Sequence, residues 1–328
     1  MKKRMYALLL TLLLLLPVAC AKQMNEAPVV RLHEVTRSVF YAPQYVADAL
    51  GYFADEGIAV EITTSGGSEK AMTALLAGEA DICLAGPETG VYVIGEGKAD
   101  HPVIVGQLTK RDGSFLIART PTDAFSWNDL VGKTVIGGRA GGMPIMTLRY
   151  VMAQNGLTDG ENCTVIDSIQ FNLMAGAFEG GEGDYVTLFE PTATEFQNAG
   201  KGYIVANIGL ASGEVPYTCY FVTPENREAP KTQAFLRAIY RAQQWMRTAT
   251  DDEIAAAMQP YFPDTSLDSL RIVARSYRET DSWKTELTMD EADYARLLEI
   301  MAFNGVLDTR PDFAELVDND AALKAMGK

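Results

Sequence analysis

Residues 40–90 read FYAPQYVADALGYFADEGIAVEITTSGGSEKAMTALLAGEADICLAGPETG, and their pattern indicates the fold class. The short apolar runs at residues 58–62 and 81–85 are typical of strands, and the apolar spacing of residues 69–77 is typical of a helix. A glycine- and serine-rich segment at residues 65–68 separates the first strand from that helix. Strands that alternate with helices in this way indicate a sheet covered by helices, so the predicted fold class is α/β.

The same alternation continues on both sides of this stretch. A strand is expected at residues 29–35, and further strands are expected near 134–137, 164–168, 184–188 and 203–206. After Thr223 the apolar pattern becomes helical to the end of the chain. We therefore predict two lobes joined by two extended crossings, with a ligand cleft between them and the C-terminal helices packed on lobe one. The predicted division is residues 29–117 for the first part of lobe one, 118–214 for lobe two, and 215–328 for the return crossing and the C-terminal helices.

The N-terminus has the pattern of an export signal. Three basic residues at positions 2–4 precede an apolar run at residues 5–16, which is too short to span a bilayer as a mature helix. We expect residues 1–19 to be a signal peptide, and residues 20–28 to be a tether anchored by lipid on Cys20, because the preceding stretch resembles a bacterial lipobox. The alternative is ordinary signal cleavage at the small-residue site Ala19-Cys20-Ala21. Both readings place the protein outside the cytoplasm.

Composition excludes several functions. The 328 residues carry 28 Lys and Arg against 43 Asp and Glu, and a net charge of −15 opposes binding to nucleic acid. Cys83, Cys163 and Cys219 lie in apolar contexts and are expected to be buried. His33 and His101 have no neighbouring metal-ligand motif, so neither a metal nor another cofactor is expected. The chain also lacks the GxSxG and P-loop motifs of common hydrolases.

The 40–90 stretch resembles the first lobe of bacterial ABC-importer solute-binding proteins of the nitrate, sulfonate, taurine and thiamine-pyrimidine branch. The shared pattern is a P-x-Y-V-A and G-Y-F helix, a strand, a Gly-rich loop and A-L-x-x-G-x-A-D before a short strand. The segments SWNDLVGKTVIGG at 126–138 and FEP at 189–191 are similar to further motifs of that family. The resemblance implies a type II-like periplasmic-binding-protein fold that closes on a solute. It also implies an ABC permease as partner and a monomer without enzymatic activity.

Ligands in α/β lobes bind where strands end and helices begin, and this rule selects the candidate binding residues. Aromatic side chains at these ends could stack on a planar solute, while hydroxyl groups, glycine turns and charged groups could bind its polar substituents. Glu190 is the main candidate, because a carboxylate at a strand end could accept hydrogen bonds from an amino group. Arg111 could clamp an anion or pair with Asp112. The candidates are Ser38, Phe40, Tyr41, Gly67, Ser68, Glu88, Thr89, Arg111, Ser114, Gly141, Gly142, Glu190 and Tyr217.

These residues favour a planar, amine-bearing nitrogen heterocycle similar to the thiamine pyrimidine. The alternative within the same receptor role is a sulfonate, taurine or nitrate anion. Two other functions remain open from the residues: a lipoprotein that senses solute without importing it, and an enzyme similar to the eukaryotic pyrimidine synthase of this branch. That synthase is recognised by clustered cysteines with a histidine, and no two cysteines are neighbours here.

Overall fold

The computed structural model describes residues 27–97, 100–122 and 124–328. The predicted signal peptide and Cys20 lie outside this range. Ten strands lie within it: β1 Val29–Glu34, β2 Ala59–Thr64, β3 Ile82–Ala85, β4 Val103–Thr109, β5 Ser114–Ala118, β6 Thr134–Ile136, β7 Thr164–Ile166, β8 Tyr185–Phe189, β9 Tyr203–Asn207 and β10 Thr218–Val222.

The α-helices surround two sheets. Five short 3-10 helices accompany them, at Val39–Tyr41, Trp127–Leu130, Phe171–Leu173, Pro224–Asn226 and Gln259–Tyr261. The α-helices are α1 Ala42–Ala49, α2 Tyr52–Asp55, α3 Ser68–Leu76, α4 Glu88–Gly95, α5 Met143–Gln154, α6 Met174–Glu179, α7 Thr192–Asn198, α8 Ile208–Ser212, α9 Pro230–Met246, α10 Asp251–Met258, α11 Leu267–Glu279, α12 Glu291–Phe303, α13 Phe313–Leu316 and α14 Asn319–Met326.

Each lobe is built on one five-stranded mixed sheet. The first sheet has the order β2-β1-β3-β10-β4, in which β10 is antiparallel to both of its neighbours. The second has the order β7-β6-β8-β5-β9, in which β5 is antiparallel to both of its neighbours. Strand β10, which returns from the second lobe, thus lies antiparallel between strands of the first sheet. Strand β5, which follows the crossing from the first lobe, likewise lies antiparallel between strands of the second sheet. The predicted two-lobed α/β fold is confirmed.

The two crossings between the lobes run side by side. The Val215 amide donates to the Lys110 carbonyl at 3.0 Å, and the Tyr217 amide donates to the Thr109 carbonyl at 3.2 Å. These two hydrogen bonds place the return crossing next to the first one. The first crossing lies earlier than the predicted boundary after residue 117, because Ser114 already pairs with Phe189 in the second sheet. Because β5 is apolar on both faces, its sequence does not indicate which of the two sheets it joins.

The C-terminal helices cover lobe one and also contact lobe two. Helix α9 packs on α1 and β1, and α14 packs on α9 and β4, as predicted. Helix α11 is amphipathic, because Leu270, Val273, Ala274 and Tyr277 share its buried face. It lies beside α7 of the second lobe, and α12 lies beside α5. In the described part of the chain, no helix combines the length and apolar character that a bilayer span requires.

Candidate functional site

A cavity of about 150 Å³ lies between the lobes. One wall comes from the loops that follow β1, β2 and β3, and the other from the turn that follows β6. Strand ends and helix starts therefore meet at this cavity, as the topology of α/β lobes requires. Nine of the predicted candidates line it: Ser38, Tyr41, Gly67, Ser68, Glu88, Thr89, Gly141, Gly142 and Tyr217.

Hydroxyl groups on the first wall hold its turns in place. The Ser38 hydroxyl accepts a 3.2 Å hydrogen bond from the Phe40 amide and caps the following 3-10 helix. The Ser68 hydroxyl accepts one of 3.2 Å from the Gly86 amide. The Thr89 hydroxyl donates one of 2.6 Å to the Gly86 carbonyl. These side chains fix the backbone around the cavity through their local bonds.

Glu88 is the buried acidic residue of the cavity wall. It is 3% exposed, and its Oε2 has no hydrogen-bond partner among the described residues. Burial raises the pKa of this carboxyl to about 8, although the backbone N–H groups of Glu88 and Met143 offset part of the rise. The carboxyl group lies directly against Gly86, where a side chain would clash with it. The sequence Gly-Pro-Glu thus provides both the acid and the space that it needs.

The second wall is the glycine turn at residues 138–142, and it contacts the first lobe directly. Gly138 and Gly141 have φ angles of +115° and +81°, which side-chain-bearing residues rarely adopt. The Tyr92 hydroxyl donates a 2.9 Å hydrogen bond to the Gly141 carbonyl. Arg139 forms a 2.7 Å ion pair with Glu69 of α3. These contacts close the lobes over the cavity.

Aromatic rings form the apolar part of the cavity. Tyr41 and Tyr217 line it together with Phe171 and Phe189. The Phe189 ring lies 5.3 Å from that of Phe171 and 6.3 Å from that of Tyr217, measured between centroids. The Tyr217 hydroxyl is buried and makes no hydrogen bond with the described residues, and its pKa is raised by burial and by the nearby carboxylate of Asp112. The cavity thus offers flat apolar surface next to a carboxyl group.

Three predicted candidates lie behind the cavity at the crossings. The Phe40 ring is buried against Tyr217 and Tyr277, with centroid distances of 5.7 and 5.1 Å. Arg111 pairs with Glu214 at 3.2 Å. Ser114 donates from its amide and its hydroxyl to Asp112 Oδ1, at 2.7 and 2.5 Å. The side chains of Phe40, Arg111 and Ser114 stabilise the hinge, so their expected place in the ligand site is corrected.

Glu190 is also outside the cavity wall, although it was the main candidate. Its carboxylate accepts 2.9 Å hydrogen bonds from the amide and the hydroxyl of Thr194. It therefore caps the first turn of α7, where free N–H groups attract a carboxylate. Its own amide donates to the Tyr277 hydroxyl at 3.1 Å. Glu190 joins the second lobe to α11.

Sequence reasoning missed several residues of the cavity. Tyr92 lies four residues after Glu88 and therefore on the same face of α4, a spacing that could have identified it. Arg139 is part of the GRAGG turn, where only the glycines were selected. Phe189 immediately precedes Glu190 on β8 and presents its ring to the cavity instead. Since successive residues of a strand point to opposite faces, one position decides which side chain reaches the cleft.

The described residues contain no group of three or more His, Cys, Asp or Glu side chains placed to hold a metal. Cys83, Cys163 and Cys219 are buried as free thiols. Burial raises the pKa of all three, which lowers their nucleophilicity.

Comparison with known proteins relates the chain to binding proteins. The sequence profile of the family described as "NMT1/THI5 like" matches residues 39–252. A Bacillus subtilis (strain 168) protein named "Putative binding protein YtlA" is 37% identical over 316 residues, which cover 96% of this chain and 95% of that protein.

Two solved structures have a similar fold at low identity. The alkanesulfonate-binding protein SsuA from Xanthomonas axonopodis pv. citri, bound to MOPS, matches with a TM-score of 0.71 at 15% identity, covering 90% of this chain and 99% of that one. The periplasmic nitrate-binding protein NrtA from Synechocystis PCC 6803 matches with a TM-score of 0.72 at 18% identity, covering 92% and 89%.

Proposed function

The chain belongs to the NMT1/THI5-like family, and from this premise we propose that it is an extracytoplasmic solute-binding protein that delivers a small molecule to an ABC importer. The names of similar proteins support this role, since the Bacillus subtilis relative is named a binding protein and the two solved structures are named for alkanesulfonate and nitrate binding. The interlobe cavity supports it independently, because such cavities bind small molecules. The lobes close on the solute, and no chemical step is required of the protein.

The proposed solute is a planar nitrogen heterocycle with an amino group, similar to the thiamine pyrimidine. The observation that carries this proposal is the Glu88 carboxyl, buried in the cavity wall with one oxygen unpartnered. With a pKa of about 8 it holds a proton at neutral pH, so it can both donate and accept. An amino group next to a ring nitrogen presents the matching donor and acceptor. Tyr41, Tyr217 and Phe189 would stack on the ring.

An anionic solute such as a sulfonate or nitrate is the second candidate. The starts of α3, α4 and α5 meet at the cavity, and helix N-termini attract anions. Arg139 is the cation that lines the described cavity, and its charge is already balanced by Glu69. Glu88 holds a proton at neutral pH and adds no charge, so the cavity has no positive charge in excess. The heterocycle is therefore favoured.

We also propose that the protein is held at the outer face of the cell membrane by lipid on Cys20 and acts as a monomer. A lipid anchor would keep the receptor close to its permease and raise the effective concentration of each for the other. Incorporation of a palmitate analogue into the wild-type chain, and its loss in Cys20→Ala, tests the anchor. Labelling of the alanine variant would contradict it.

A thermal-shift screen of residues 24–328 tests the solute class. Aminopyrimidines, thiamine, nucleosides, alkanesulfonates, taurine and nitrate form the panel. A solute present at about a hundred times its dissociation constant stabilises the fold by about 2.7 kcal/mol, which raises the melting temperature by a few degrees. Shifts with aminopyrimidines support the proposal. Shifts confined to sulfonates or nitrate would instead support an anionic solute.

A further inference from the structure

A second cavity, of about 240 Å³, lies on the far side of the hinge from the cleft. It is enclosed by α9, by the end of α11 and by the segment that follows α11. The Phe40 ring contacts both Tyr217, which lines the cleft, and Tyr277, which lines this second cavity. The polar and aromatic residues that line this second cavity include Gln243, Arg247, Tyr277, Arg278, Ser282 and Trp283. We call it the hinge cavity.

The hinge cavity is lined by three cations, Arg247, Arg278 and Lys284, and by one acid, Asp281, which is itself in an ion pair, on a chain whose net charge is −15. Of these cations, Arg278 pairs with Asp251 at 2.8 Å and Lys284 pairs with Asp290 at 2.7 Å. Arg247 is exposed, donates to the side chain of Gln244 at 3.0 Å and forms no ion pair with the described residues. One guanidinium at this cavity therefore remains available for a negatively charged group.

Two buried polar groups of the same cavity also lack partners. Ser282 is fully buried and its hydroxyl makes no hydrogen bond with the described residues. Gln243 is 2% exposed and its Oε1 is equally unpartnered, while its Nε2 donates to the Gln107 carbonyl at 3.1 Å. That bond fixes the orientation of the amide, so Oε1 needs a donor. Unpaired buried groups are costly, and a ligand with both donor and acceptor atoms would satisfy them.

We infer that the hinge cavity is a second binding site, separate from the cleft, and that it takes a small oxyanion of the hydrogen phosphate type. The oxygens of hydrogen phosphate would accept from Arg247 and from the Ser282 hydroxyl. Its own hydroxyl would donate to Gln243 Oε1. Sulfate has the charge but no proton to donate at neutral pH, so the site discriminates between the two anions.

This site adjoins the groups that hold the hinge. The Tyr277 hydroxyl donates to the Gly113 carbonyl of the first crossing at 3.1 Å and accepts from the Glu190 amide at 3.1 Å. The Trp283 indole donates to the Phe40 carbonyl at 3.0 Å. An anion against Tyr277 and Trp283 would therefore act on both lobes. By linkage, its binding and closure of the cleft must affect each other reciprocally.

Titration of the ligand-free wild-type chain with inorganic phosphate tests the inference. Tryptophan fluorescence reports on Trp283, and Trp283→Phe identifies its share of the signal. We expect saturable binding of phosphate, weaker binding of sulfate, and a loss of about tenfold or more for phosphate in Arg247→Ala, because a charge-assisted hydrogen bond is removed. Arg271→Ala is the matched control, since it removes the same charge from an exposed position on α11 that is paired with Asp268.

Absence of saturable phosphate binding to the wild-type chain would overturn the inference. Equal phosphate affinity in Arg247→Ala and wild type would also overturn it. Ser282→Ala provides an independent check that leaves the charge unchanged, and it should weaken phosphate and sulfate alike. The cleft solute is not needed for any of these measurements, so failure of the proposed solute class would leave their outcome unaffected. Small-angle scattering with and without phosphate then measures the effect on closure.

Discussion

The hydroxyl of Tyr92 on the first lobe donates a 2.9 Å hydrogen bond to the carbonyl of Gly141 on the second. The ion pair between Arg139 and Glu69 joins the same two walls at 2.7 Å. Both contacts depend on closed lobes, and neither needs a solute. The protein's own side chains thus contribute to the free energy of closure.

Tyr92→Phe should shift the ligand-free protein toward the open form. The substitution removes one interlobe hydrogen bond, worth about 0.5–1.5 kcal/mol, and leaves the ring in place. Arg139→Ala should have a smaller effect, because Arg139 and Glu69 are both partly exposed and solvent weakens their attraction. Small-angle scattering should show a larger radius of gyration for Tyr92→Phe than for the control Tyr240→Phe on α9. An unchanged radius would mean that the hydroxyl does not hold the lobes together.

Glu88→Met should weaken binding of an aminopyrimidine by about 1–3 kcal/mol, or roughly 5- to 150-fold. Methionine has a similar shape but can form neither of the two hydrogen bonds expected at the carboxyl. Glu88→Gln is the matched control, since its amide both donates and accepts. Isothermal titration should find much of the affinity retained in Glu88→Gln. Wild-type affinity in Glu88→Met would remove Glu88 from the ligand site.

The stability of the ligand-free protein should depend on pH through Glu88. Its pKa in the folded state, about 8, lies above the ordinary value of 4.5, so the folded state binds more protons than the unfolded state between these values. The contribution of Glu88 to stability is therefore fully present below about pH 4.5 and is lost as the pH rises through about 8.

Urea unfolding from pH 5 to pH 8 measures this effect. The difference in unfolding free energy between wild type and Glu88→Gln should fall with rising pH, by about 1.4 kcal/mol per pH unit at most. Subtracting the variant cancels other buried acids such as Asp112, whose pKa is raised by burial to about 6. A difference that stays constant with pH would show that Glu88 ionises normally.

Glu190→Gln should lower stability and leave solute affinity within about twofold of wild type. The carboxylate caps α7 through Thr194, and loss of such a cap costs about 0.5–2 kcal/mol. Urea unfolding and isothermal titration of the same preparation measure the two quantities. A large loss of affinity with unchanged stability would show that Glu190 binds the solute.

The strand and helix pattern of the sequence predicted most of the fold. Residues 134–137 and 164–168 were expected as strands, and the structure has β6 and β7 there. The apolar face of α11, from Leu270 to Tyr277, also follows from the spacing of apolar residues in the sequence. The first crossing was misplaced, because the apolar strand β5 could pair in either sheet and only the register with β8 decides.

The candidate site was predicted less well, for a geometric reason. Glu88 and Glu190 both follow a strand and begin a helix, so the sequence treats them alike. In the structure Glu190 binds Thr194 of its own helix, whereas Glu88 keeps one oxygen without a partner. Which carboxyl remains available depends on contacts from distant parts of the chain, and local sequence does not encode these contacts.

We propose that the cleft binds a planar amine-bearing heterocycle in preference to an anion. Isothermal titration of residues 24–328 with 4-amino-5-hydroxymethyl-2-methylpyrimidine, and in parallel with taurine and nitrate, tests it most directly. We expect stoichiometric binding of the pyrimidine that is weakened in Glu88→Met, with no measurable heat from either anion. Binding of taurine or nitrate, with none of the pyrimidine, would contradict it.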